Sequence, residues 1–174
     1  MLARSLMVLS SRLNAVALWG AVGAVGVMVF SIMWQVVARY VFASPPIWTE
    51  ELARYAMVWA GMLGASCAFY EHSDPNLFPG ARSITGRRGL EFAVLRGIGV
   101  LIFAAPVIWF SFIGPNGGFT RGFISRSIAR TAEMTGVPMI WFAIAIPTAF
   151  VLILIHSIAD IAGRAAATDQ EKDG

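Results

Sequence analysis

The sequence predicts an all-α integral membrane protein: four transmembrane helices joined by short loops, with an interfacial helix in the third loop. Composition is the first reason. Hydrophobic residues make up 57% of the 174 residues and charged residues only 13%, against about a quarter in soluble domains, and the mean hydropathy is +0.70. The second is that the apolar residues gather in four windows, each able to cross a core about 30 Å thick, which takes roughly 20 helical residues. The third is that no stretch between them could hold a soluble domain of about 50 residues. We therefore read 1–174 as a single membrane domain whose function resides in the bilayer or in partners.

The first span, 13–38, carries no charge. Arg4 and Arg12 precede it as they would a signal peptide, but a secretory apolar region runs about 7 to 15 residues, so it is read as a permanent span. Ser44-Pro45-Pro46 stops this helix, and Thr49 is expected to cap the second span, 49–70, with Glu50 and Glu51 at its positive end. The second connection, running to about Gly89, holds Pro75, Pro79, Gly80 and Gly86. The third span, 90–113, contains Pro106, and the fourth, 137–161, contains Pro147. Each proline reads as a gating hinge or as a fixed packing bend. Pro138 fits the first turn of the fourth helix. Between the last two spans, Arg126, Arg130 and Glu133 are expected on one face of the interfacial helix, and 168–174 is expected to be a polar, frayed tail.

Thirteen basic residues set the orientation. With the N-terminus inside, Arg4, Arg12, Arg82, Arg87, Arg88, Arg96, Arg164 and Lys172 face the cytoplasm, and Arg39, Arg54, Arg121, Arg126 and Arg130 the other side. The excess places both termini in the cytoplasm. No basic stripe interleaved with aromatics exists in a soluble segment, which argues against nucleic acid as a partner. The lone Cys67 excludes an internal disulfide.

The second span is the most informative. At 100° per residue, Glu50, Arg54, Met57, Gly61, Gly64 and Ala68 fall within about 40° of one line, and Trp48, Leu52, Tyr55, Trp59 and Phe69 lie roughly opposite. Small residues let helix backbones approach in lipid, where no hydrophobic force drives association. Gly20, Gly23 and Gly26 offer a second such contact. Either Glu50 or Glu51 can neutralise Arg54, at i, i+4 or i, i+3. The acids read either as a proton- or ion-handling site or as a structural pair at the interface. His156, Asp160 and Arg164 read as a helix-end stripe that needs no cofactor; His72 and His156 as ligands of a bis-histidine haem is the disfavoured alternative, and no cofactor is expected. Trp34, Tyr40, Trp48, Tyr55, Trp109 and Trp141 suit interfacial belts. No nucleotide-binding or metalloprotease motif occurs, so ATP use and hydrolytic chemistry have no support.

Three segments carry a family resemblance: ARYVF at 38–42, WTEELARYAMVWAGMLGAS at 48–66 followed by His72, and VPMIWFAIAIP at 137–147. The chain resembles the small membrane subunit of tripartite ATP-independent periplasmic (TRAP) transporters, the DctQ type. That resemblance implies a non-enzymatic four-helix subunit of a bacterial inner membrane. It joins a large multi-span permease subunit that carries substrate and Na+, and works with a periplasmic binding protein in carboxylate uptake. Arg39, Trp48, Glu50, Glu51, Arg54, Trp59, Gly64 and His72 match the motif as partner-contact or structural residues, and Gly61 joins them from the segregated face. After His72 the chain reads Ser73-Asp74-Pro75-Asn76, unlike the family's usual continuation, so the carry-over stops there. The runner-up is a self-contained proton-coupled transporter using Glu50 or Glu51.

Overall fold

A computed structural model describes residues 2–73, 84, 86–114, 117–118 and 122–173. Helix α1 spans Leu2–Val41, α2 Trp48–Tyr70, α3 Gly86–Phe112, α4 Phe123–Ile128, α5 Ile140–Ala143 and α6 Ala145–Asp173. Four helical stretches are long and apolar enough to cross a membrane: α1, α2, α3, and α5 continued by α6. Among the described residues there is no strand, only an isolated bridge between Thr131 and Pro138. Pro75, Pro79, Gly80, Arg82 and Arg121 lie outside the described residues.

Contacts between helices give the topology. Gly20 meets Leu63 and Cys67 approaches Asn14, so α1 and α2 run antiparallel. Gly97 meets Ile161 and Phe103 meets Phe150, so α3 and α6 do likewise. Helix α6 lies against α1, α2 and α3. The result is an up-down-up-down bundle in which the starts of α1 and α3 share one end with the finishes of α2 and α6.

The buried hydrophobic residues are almost all alanine, including Ala17, Ala53, Ala104, Ala145 and Ala149. Large side chains point outward instead, with Trp19 at 76% exposure and Phe30 at 64%. This inverted arrangement is what lipid favours, because small interfaces maximise van der Waals contact between backbones while bulky residues meet acyl chains. Between spanning helices, close approach is tightest at Gly20 and Gly97, where an added Cβ would stand 2.8 Å from Leu63 and 2.7 Å from Ile161. Gly23, Gly26, Gly61 and Gly64 have nothing within 4 Å of that position, so of the first span's three glycines only Gly20 makes the expected contact.

Several local expectations are corrected. Thr49 is not the N-cap of α2. That position is Ile47, without a side-chain cap, and the fully buried Thr49 hydroxyl donates backward to the Pro46 carbonyl at 2.7 Å. The interfacial helix is only Phe123–Ile128, so Arg126 is helical but Arg130 and Glu133 fall in the turn that follows. Pro138 precedes α5, bridging to Thr131. The fourth span is interrupted at Ile144. Pro147, in the first turn of α6, has no N–H for the Ala143 carbonyl, which explains the break. Helix α1 begins well before residue 13, and α6 continues through the expected frayed tail to Asp173.

Candidate functional site

Two polar nodes close the bundle, one at each end of α2. At the N-terminal end Glu51 and Arg54 do not pair. Arg54 instead binds Glu50 at 3.2 Å, with both side chains more than 60% exposed. Glu51 is buried, and its Oε2 accepts hydrogen bonds from the Thr135 N–H at 2.7 Å, the Thr135 hydroxyl at 2.8 Å and the Met134 N–H at 3.1 Å. The Tyr55 hydroxyl approaches Oε1 at 3.4 Å. One carboxylate thus pins the turn between α4 and α5 onto α2. The bulky face of α2 reinforces the attachment. Tyr55 stacks on Phe142 with centroids 3.6 Å apart, and the Trp59 indole donates to the Trp141 carbonyl at 2.9 Å.

At the other end Asp160 is the hub. Its Oδ2 lies 2.7 Å from Arg96 on α3, both oxygens lie 3.3 Å from Nε of Arg164, and Oδ1 is 3.8 Å from Nε2 of His72. His72 reaches this place by an unusual backbone. Its φ of +58° occupies the left-handed position that ends α2, with His72 N–H donating to Phe69 O and Ser73 N–H to Ala68 O. That is a Schellman closure, where glycine is the usual occupant. His156 does not bond Asp160 as the stripe suggested. Its Nδ1 pairs with Ser10 Oγ on α1 at 2.7 Å, and its ring lies 5.1 Å from Tyr70.

Among the residues singled out from the sequence, the structure brings Glu51 and Trp59 to the first node and His72 to the second. Arg39 is exposed in the last turn of α1, and Trp48 is exposed at the start of α2. Glu50, Arg54, Met57 and Gly61 form an outward face, with Gly64 at its half-buried edge. Trp34, Tyr40, Trp109 and Trp141 are exposed as belt residues would be; Tyr55 is turned inward. Thr135, Phe142, Arg96 and Ser10 were not foreseen as site residues. Arg96, a single cation near the start of an apolar span, was the one available signal, since such a charge needs a partner. Among the described residues no group of His, Cys, Asp and Glu side chains is arranged to hold a metal.

Taken together, the alternating bundle and its lipid-facing bulky surface define a multi-pass α-helical membrane protein whose ionisable groups cluster at the two ends. The chain belongs to the family described as tripartite ATP-independent periplasmic transporters, DctQ component, whose sequence model matches residues 28–167. It is also similar to the sialic acid TRAP transporter permease protein SiaT of Haemophilus influenzae (strain 86-028NP), at 47% identity over 47 residues. That similarity covers 26% of this chain and 8% of the relative's length.

Proposed function

We propose that this chain is the non-enzymatic small permease subunit of a TRAP transporter for organic acids, a scaffold that packs against a large elevator-type subunit. The observation that carries this reading is the division of α2. Tyr55 and Trp59 of its aromatic face are engaged inside the chain by Phe142 and Trp141, whereas the face of Glu50, Arg54, Met57 and Gly61 has no internal neighbour helix. Small residues on an outward helix face suit close contact with another helix. In this reading the large subunit moves substrate with Na+ symport, and the α2 N-terminal end with its pinned turn helps dock the periplasmic binding protein. Both termini lie in the cytoplasm of a bacterial cell and the bundle spans the inner membrane. The organic-acid class accords with the sialic acid named for the relative. A self-contained proton carrier using Glu50 or Glu51 has less support, because Glu51 is held by fixed donors and Glu50 by Arg54 at an exposed helix start.

The test is co-expression with the large multi-span protein encoded beside it, followed by purification through a tag on this chain. A stable one-to-one complex is expected. Arg54→Ala and Gly64→Leu should lower its yield without changing which solute is transported. A chain that purifies alone and moves solute in liposomes would overturn the reading.

A further inference from the structure

The end of the bundle that holds the Asp160 node also encloses a cleft of about 540 Å³ between α1, α2 and α6. Its lining is amphipathic. Met7, Phe69 and Gly163 supply apolar wall, and His156, Asp160 and Arg164 supply polar groups along one face of α6. Arg164 keeps a hydrogen-bond donor that the described residues do not use, while His156 is fixed as part of the wall. The Ser10 hydroxyl is buried and has His156 Nδ1 as its one hydrogen-bond partner among the described residues. A buried hydroxyl proton needs an acceptor, so Ser10 donates to Nδ1 and the ring proton rests on Nε2. That Nε2 has no partner among the described residues and is closed off from the cleft, in a residue only 3% exposed, so the ring is wall rather than donor. Arg164 directs Nε to Asp160 and Nη1 to the Ile84 carbonyl at 3.4 Å, leaving Nη2 with no protein acceptor among the described residues.

The unused Arg164 donor calls for an acceptor, and the nearby acid is already engaged, since Asp160 is bound by Arg96 and Arg164. The cleft lies where the apolar run of α6 gives way to Asp160 and Arg164, the level of lipid headgroups in a spanning bundle. We propose that it binds the phosphate of a phospholipid headgroup, with Arg164 donating to the phosphate oxygens and Met7 and Phe69 flanking the start of an acyl chain. Basic pockets between membrane helices recognise headgroups in this way. The apolar walls distinguish a lipid from free phosphate, which would gain nothing from them. The site is independent of the large subunit and of the transported solute.

The experiment is native mass spectrometry and thermal unfolding of the full chain in mild detergent, titrated with 1-palmitoyl-2-oleoyl-phosphatidylglycerol, with inorganic phosphate, or with dioleoylglycerol. One retained phosphatidylglycerol and a rise in Tm are expected, with no such rise from the other two. Ala167→Leu, which fills the exposed mouth of the cleft without touching the donors, should keep the lipid-free Tm and weaken lipid retention roughly tenfold. Arg164→Gln should likewise weaken it, through loss of one charge-assisted hydrogen bond. Equal stabilisation by inorganic phosphate or by dioleoylglycerol would overturn the proposal. So would undiminished lipid retention in both variants.

Discussion

Glu51 and Asp160 sit at opposite ends of the same bundle and are satisfied by opposite means. Glu51 takes its hydrogen bonds from neutral donors, two backbone amides and a hydroxyl of one turn. Asp160 takes its contacts from cationic side chains on two elements, with a third element contributing His72. The two devices bind different amounts of structure. A carboxylate that collects adjacent amides fastens one loop, and losing it frees that loop. A carboxylate between cations on separate helices ties those helices, and losing it leaves charges stranded near lipid.

The sharpest way to break the comparison is therefore Asp160→Ala. Arg96 and Arg164 are each only about a quarter exposed, so removing their common acid should cost about 3 kcal/mol. Thermal unfolding in detergent and the amount of protein in the membrane would both fall. Arg96→Met combined with Asp160→Leu should recover much of the loss, because both members of the pair are then apolar. If Asp160→Ala unfolds no earlier than the parent, the node does not tie the helices.

A smaller, local effect is expected at the other end. Glu51→Ala should leave the helices assembled while exposing the turn of residues 129–139 to limited proteolysis. Cleavage elsewhere, or a global loss of fold, would mean that Glu51 fastens more than a turn. Next in size is Trp59→Phe, which removes the hydrogen bond to the Trp141 carbonyl but keeps the ring, and should cost about 1 kcal/mol of stability. The smallest effect belongs to the outward pair. Glu50→Ala should change the stability of the isolated chain by less than about 0.5 kcal/mol. A larger change would show that the exposed face is engaged within the chain after all.

The contrast also explains which features were readable in advance. The Glu50–Arg54 and Asp160–Arg164 pairs are i, i+4 neighbours, and helical geometry alone brings them together. Thr135 lies 84 positions from Glu51, and Arg96 64 positions from Asp160. No periodicity connects residues so far apart. The choice between two acids for Arg54 had the same origin. Local spacing allowed either, and the α4–α5 turn took Glu51 away. Helical angle groups Glu50, Arg54, Met57 and Gly61 on one face of α2, but that face's lack of an internal neighbour depends on where α1 and α6 lie.

By itself the sequence determined the membrane class, the four apolar spans, the segregation of α2 into two faces and the family resemblance. The first three follow from composition, run length and a fixed 100° step, and the resemblance rests on three matched segments; all are properties of a chain read one segment at a time. The tertiary structure decided which glycines meet a neighbour, which acid holds a loop, and how Arg96, Asp160 and His72 converge. Those depend on how whole helices are set against each other. In a bilayer, helix placement comes from many weak contacts between small side chains, and no single segment encodes their sum.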